Sequence, residues 1–181
     1  MTTVFSDHYR FLAHYNRWMN RRLYDACESL SDDERKRERG AFFGSIHGTL
    51  NHLIVADQIW LRRLAQCGLD NDIRMASLNA KVLDLPAGSR LNTVVFDDWK
   101  ALRAKREQLD AAIENWVVEM PDVFLQLTMR YGNSSGIERT HPVWQAMTHF
   151  FNHQTHHRGQ VSTLLMQAGV DIGVTDLIAL A

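Results

Sequence analysis

The segment Met147-Thr-His-Phe-Phe-Asn-His-Gln-Thr-His-His-Arg-Gly-Gln160 contains four of the nine histidines of the chain within nine residues. Its apolar residues recur with helical spacing, so the sequence predicts that the segment is part of a long α-helix. An α-helix turns about 100° per residue, which places His153 and His157 within about 40° of each other and about one turn apart. Two imidazoles in this arrangement are able to bind one metal ion.

The apolar residues around the segment indicate which histidines face the protein interior. An apolar stripe lies within roughly 40° of His157 on the helical wheel and comprises Val143, Phe150, Val161, Leu164 and Ala168. His153 lies about 40° to one side of His157, whereas His149 and His156 lie about 80° and 100° away, on the flank. We therefore predict that His153 and His157 are the inward pair.

Each histidine of this pair has a structural alternative, because a single buried imidazole is commonly satisfied by a backbone carbonyl or a neighbouring side chain. Two neutral imidazoles side by side leave several polar atoms to satisfy, whereas a divalent cation takes a lone pair from each. The pair is a candidate for metal binding, and a purely structural histidine core is the alternative.

A second histidine-bearing segment, residues 45–64, is apolar on nearly all sides and predicts a buried helix. His47 lies near the predicted start of this helix, where a frayed or solvated position is expected, so His52 is the stronger candidate for a third ligand. Asp57 falls on the main apolar stripe. If it is buried and ionised it needs an arginine, an indole N–H or the second nitrogen of a ligand histidine as partner. A structural hydrogen bond is the expectation.

A resemblance to a known family rests on Leu50-Asn-His-Leu-Ile-Val-Ala-Asp-Gln-Ile-Trp60 and Asn152-His-Gln-Thr-His-His-Arg-Gly-Gln160, which look like the DinB/YfiT-like family of metalloenzymes. The early segment Tyr15-Asn-Arg-Trp-Met-Asn-Arg-Arg-Leu23 is similar to the opening helix of that family. In the family, one histidine of the second helix and two of the fourth helix, four residues apart, form a three-histidine site. The resemblance therefore implies the metal ligands His52, His153 and His157.

Three neutral imidazoles leave positions on a metal ion open for water or substrate, as in catalytic rather than closed structural sites. Zinc or nickel is the expected divalent ion, with cobalt and iron as alternatives. Some members of the wider superfamily use low-molecular-weight thiols, which implies a metal-dependent transferase or isomerase with a thiol substrate. The alternative is a metal- or small-ligand-binding protein of the stress response without turnover. No side chain stands out as a general acid or base.

Four long segments with helical spacing predict an all-α fold, a four-helix bundle. They cover about residues 3–29, 45–66, 91–120 and 142–169. The turn sequence Gly132-Asn-Ser-Ser-Gly136 lies within residues 123–140 and predicts a small hairpin before the last helix. Pro142 suits the first turn of that helix and Gly169 suits its left-handed end. Asn16 falls in the apolar stripe of the first helix, where we expect an interhelical hydrogen bond or a position near the site.

Composition predicts one domain, residues 1–181, because 181 residues at 45% hydrophobic content suffice for one substantial core. The formal net charge is −1, from 20 basic and 21 acidic residues, which gives no indication of a nucleic-acid partner. Residues 32–39 carry four charges of each sign and are expected to form a solvated loop or helix end.

Cys27 and Cys67 are far apart, lack the spacing of a redox pair and follow no signal peptide, so we expect half-buried, reduced thiols in a cytoplasmic protein. No apolar stretch reaches the roughly 20 residues that span a membrane. The resemblance implies a homodimer.

Overall fold

The fold is mostly helical in the computed structural model, which describes residues 4–133 and 135–180. Four helices in these ranges are longer than twenty residues: α1 (Val4–Cys27), α3 (Ile46–Leu69), α5 (Trp99–Glu119) and α6 (Val143–Gln167). The shorter elements are α2 (Asp32–Lys36), α4 (Ala80–Leu83), 3-10 helices at Asp122–Gln126 and Leu177–Leu180, and strands β1 (Thr128–Gly132) and β2 (Glu138–Pro142).

The core lies between the long helices. Helix α1 packs against α5 and α6, and α3 packs against α6 and α5. Among the largest fully buried side chains are Tyr9, Trp116, Phe124 and Phe150. Burial of such apolar surface stabilises the packing by about 25 cal/mol per Å². In the described ranges no helix combines the length and the apolar character that crossing a membrane requires.

Capping residues determine where the long helices begin and end. The hydroxyl of Ser45 accepts from the backbone N–H of Gly48 at 2.9 Å where α3 begins. The carboxylate of Asp98 caps α5 in the same way, so α5 begins at Trp99, later than the predicted residue 91. At the other end of the chain, Gly169 has a φ of 79°, as its predicted left-handed position requires.

The predicted hairpin is confirmed. Strands β1 and β2 pair in antiparallel register, with Thr128 opposite Pro142 and Gly132 opposite Glu138. Pro142 is the last residue of β2, so it precedes α6 and does not lie in its first turn. The hairpin packs against α3 through β1.

The connection between α3 and α5 is held by side chains that donate to its backbone carbonyls. The carbonyl of Val82 accepts from Gln58 at 3.1 Å and from Lys105 at 2.8 Å, and the carbonyl of Leu83 accepts from Arg62 at 2.7 Å. These donors belong to α3 and α5, so the connection lies fixed against both helices.

The prediction that His47 is frayed or solvated is wrong. Its side chain is buried, with 2% exposure, and its Nε2 lies 2.9 Å from the carbonyl oxygen of Phe96. Residues 95 and 96 cross the start of α3, where both of their N–H groups donate to Asn51 Oδ1 at 2.9 Å. The sequence around His47 contains no sign of this long-range cover.

Three further side chains are more buried than expected. Cys27 and Cys67 are free and buried, and burial raises the pKa of the Cys27 thiol to about 12. Arg35 lies within the charged run, yet its guanidinium packs over Trp99 at 4.5 Å and donates to the carbonyl of Cys27 at 3.0 Å. The aliphatic stem and planar head of an arginine allow this burial where a solvated face was expected.

A buried polar network connects all four long helices. In its centre Arg106 of α5 pairs with Asp57 of α3 at 2.5 Å and with Asp110 at 2.9 Å. From α1, Asn16 donates to Asp110 at 3.3 Å, and Arg158 of α6 donates to the Asn16 carbonyl oxygen. The structure thus confirms an arginine as the partner of Asp57 and an interhelical hydrogen bond for Asn16.

We expect Arg106→Met to lower the free energy of unfolding by about 3–5 kcal/mol, because it leaves two buried carboxylates without their cation. Arg103→Met is the matched control on the same helix. Its ion pairs with Asp25, Glu28 and Glu107 lie at the surface, so the loss should stay below about 1 kcal/mol. Urea denaturation measures both, and equal losses would contradict the assigned role of Arg106.

Candidate metal centre

The structure brings the three predicted histidines together between α3 and α6. The Nε2 atom of His52 lies 3.2 Å from Nε2 of His153 and 3.2 Å from Nε2 of His157. His52 and His157 are buried and His153 is partly exposed. Within the described part of the chain these three residues form a group whose ligand atoms all lie within 4.8 Å of one another.

The second ring nitrogens determine which nitrogen of each ring carries the proton. Nδ1 of His52 lies 2.8 Å from the carbonyl oxygen of Leu91, which only accepts, so Nδ1 is protonated and Nε2 presents a lone pair. Nδ1 of His157 lies 2.8 Å from Gln160 Oε1, and the amide nitrogen of Gln160 lies 3.2 Å from Nε2 of His156. His157 therefore also presents the lone pair of Nε2.

Two lone pairs that face each other at 3.2 Å cannot form a hydrogen bond, and they repel unless a cation lies between them. A tetrahedral zinc ion with bonds of about 2.0–2.1 Å holds its nitrogen ligands about 3.3 Å apart. The observed Nε2 separations agree with this value, and His153 presents a third nitrogen at the same place. The residues present fit a divalent metal ion.

The electrostatics of the site keep the imidazoles neutral. The pKa of His52 is lowered to about 4 and that of His153 to about 3, mainly because the rings are buried, and the neighbouring histidines contribute to both shifts. Burial also lowers the pKa of His157. Near neutral pH all three rings are unprotonated at one nitrogen, which is the form that binds metals.

An aromatic residue covers one side of the site. The ring of Phe43 stacks on His52 with a centroid distance of 3.8 Å and an interplanar angle of 15°, and it makes an edge-type contact with His157 at a centroid distance of 5.5 Å. Phe43 reaches this position from a turn in which Gly44 has a φ of 75°. The partly exposed His153 marks the side of the site that is accessible to solvent.

The flanking histidines lie outside the group, as the helical wheel predicts. His156 is exposed and contacts Gln160, and His149 is exposed beside Trp60, with a ring distance of 4.8 Å. His47 also lies outside the group, at its contact with Phe96.

Three groups that contact the ligand histidines were not predicted from the sequence. Gln160 follows His157 by three residues and so shares its helix face, which is a signal that the sequence does contain. Leu91 contributes its backbone carbonyl, which every residue type has, so the sequence does not mark this position. Phe43 lies in a turn whose approach to His52 depends on tertiary structure.

In the metal-free protein we expect the free energy of unfolding to fall as the pH is lowered from about 6.5 to about 4.5. Unfolded imidazoles bind protons near pH 6.5, whereas the folded pKa values of His52 and His153 are about 4 and about 3. In this window the unfolded state binds more protons, which costs at most about 1.4 kcal/mol per pH unit for each group. Urea denaturation at several pH values measures the slope.

The double variant His52→Gln, His153→Gln is the control for carboxylates that titrate in the same range. It should show a shallower pH dependence than the wild type. A slope that is identical in both proteins would refute the assignment of the neutral state to these two histidines.

Comparison with known proteins identifies the family. The sequence model of the DinB family matches residues 4–181. Protein DinB of Bacillus subtilis (strain 168) is 26% identical over 182 residues, which cover 91% of this chain and 88% of that protein. No solved structure matches the chain at a significant level. Because the family match spans nearly the whole sequence, the chain belongs to the DinB family.

Proposed function

We propose that the chain binds one divalent metal ion, zinc or nickel, through Nε2 of His52, His153 and His157. The observation that carries this proposal is the 3.2 Å contact between Nε2 of His52 and Nε2 of His157, whose protons are held at Nδ1 by Leu91 and Gln160. Family membership supports it, because the match includes both histidine-bearing helices.

The proposed architecture is a single domain, residues 1–181, in which α1, α3, α5 and α6 form a four-helix bundle. Two observations support it. The pairwise packing of the four long helices encloses one core, and the network around Arg106 takes side chains from each of them. The metal site then lies on the α3 and α6 side of the bundle.

The proposed activity is transfer or isomerisation with a low-molecular-weight thiol in a cytoplasmic homodimer. A bound divalent ion lowers the pKa of a thiol or water that coordinates it, which supplies a nucleophile near neutral pH. Three neutral ligands leave the charge of the ion uncompensated, so the site favours an anionic sulfur. In a transfer, sulfur forms the new bond to the acceptor carbon, the leaving group takes the electron pair, and the thiol proton goes to solvent.

The residues of the chain have separate tasks in this proposal. Leu91 and Gln160 hold the two imidazole rings in the orientation that points Nε2 at the centre. Phe43 excludes water from the side of His52. The partly exposed side of His153 is the approach for the substrate.

A second candidate function is metal or small-ligand binding without turnover. It is favoured by the ligand group itself, which within the described residues consists of three histidines and includes no carboxylate that could act as a base. Asp57, the nearest candidate along α3, is engaged by Arg106.

We expect the wild-type protein to retain one equivalent of zinc or nickel after dialysis, measured by mass spectrometry of the metal content. His52→Ala, His153→Ala and His157→Ala should each reduce it to less than about a tenth, because three ligands are the minimum for a stable site of this type. His149→Ala and His156→Ala are matched controls on α6 and should retain the metal. The site would be refuted if the two control variants lost the metal while the three ligand variants kept it. It would also be refuted if wild-type protein held no metal after reloading.

Catalysis is tested by thiol consumption with a panel of small thiols and carbon electrophiles. Metal-stripped protein should be inactive, and reloading with zinc, nickel or cobalt should restore turnover at rates that depend on the metal. Thermal unfolding of the same samples reports any stabilisation by the metal. Stabilisation without metal-dependent turnover across the panel would favour the second candidate function.

A further inference from the structure

Arg63 of α3 lies in an aromatic corner near the proposed metal centre. Its guanidinium carbon lies 4.9 Å from the ring centroid of Trp60 and 4.4 Å from that of Tyr131 on β1. One of its five N–H donors reaches the carbonyl oxygen of Gly132 at 2.9 Å. The two rings displace water from the guanidinium and leave further N–H groups to bind a partner.

Within the described residues the charge of Arg63 has no acidic counterpart. In residues 4–133 and 135–180 no carboxylate forms an ion pair with Arg63 or with Arg139. Arg139 lies directly opposite Tyr131 in the hairpin, so both side chains leave the same face, whereas Glu138 leaves the other face. The hairpin face next to Arg63 is therefore cationic and aromatic.

Ring contacts connect this corner to the three histidines. Trp60 lies 4.8 Å from His149, and His149 lies 5.8 Å from His153, the partly exposed member of the group. Along α3, Arg63 follows His52 by eleven residues, or about 16 Å of helix. A molecule that spans this separation is about the size of a short peptide, because four extended residues cover about 13 Å and a thiol side chain and a terminal carboxylate extend further at the two ends.

We propose that Trp60, Arg63 and Tyr131, the Arg63 corner, bind a carboxylate of the molecule whose other end reaches the metal centre. This inference rests on the proposed function and defines its substrate class as an elongated acidic compound. A planar guanidinium that aromatic rings hold in place binds a carboxylate with good geometry, because little side-chain entropy is lost. The rings of Trp60 and His149 connect the two ends by direct contact.

The test uses a matched pair of peptide probes on zinc-loaded protein. Acetylated Cys-Gly-Gly-Gly carries a thiol at one end and a free carboxylate at the other, and its C-terminal amide differs only in that charge. We expect calorimetry to show about fivefold to tenfold tighter binding of the acid than of the amide. In Arg63→Gln this ratio should fall to about one, with the affinity of the amide and the zinc content unchanged.

Two further variants control for folding and for overall charge. Arg63→Lys keeps the charge without the planar fork and should retain part of the preference, with circular dichroism confirming the fold of both Arg63 variants. Arg130→Gln removes a cation from the opposite face of β1 and should retain the full preference.

The outcomes separate this inference from the metal proposal. A ratio of one in zinc-loaded wild type, or an unchanged ratio in Arg63→Gln, overturns the Arg63 corner and leaves the metal centre standing. A preference that depends on Arg63 in a protein that holds no metal supports the corner and refutes the metal centre. Binding of neither peptide by zinc-loaded wild type overturns the corner as a carboxylate site.

Discussion

The ion pairs of Arg106 with Asp57 and Asp110 fix how the long helices pack against one another. All three side chains are buried, and a buried charge without its partner costs several kcal/mol, so only a helix arrangement that brings them together is stable. Asn16 and Arg158 extend the network to α1 and α6. Asp57 follows His52 by five residues and Arg158 directly follows His157. The contacts that set the helix register therefore also set the distance between the histidines.

The geometry of the histidine group depends on this register and on two local anchors. Leu91 contributes a backbone carbonyl from the connection that Gln58, Arg62 and Lys105 tie to the helices, and Gln160 contributes a side chain from α6 itself. Both anchors accept a hydrogen bond from the Nδ1–H group of the ring and leave the lone pair of Nε2 free. Burial keeps the rings neutral, since it lowers the pKa of each imidazole. Lone pairs, charge state and separation thus agree with the binding of a divalent ion by these three histidines.

Much of this arrangement was predictable from periodicity. The helical wheel selects His153 and His157 because the apolar stripe of α6 is strong, and it identifies Asn16 and Asp57 as polar residues that need partners. The helix that carries His52 is apolar on nearly all sides, so its periodicity does not single out this residue. The resemblance to the family identifies His52 as the third ligand. Sequence reasoning failed for His47, Arg35 and the start of α5, because in each case a distant segment or a capping residue decides the local environment. The carbonyl of Leu91 was beyond sequence reasoning, since its position depends on how a long connection folds back.

X-ray absorption spectroscopy of zinc-loaded protein measures whether Nε2 atoms of three histidines bind one metal ion. We expect three imidazole nitrogens at about 2.0–2.1 Å from the zinc, with the remaining coordination positions filled by light atoms. A shell with sulfur from Cys27 or Cys67, or one with fewer than three imidazoles, would contradict the account.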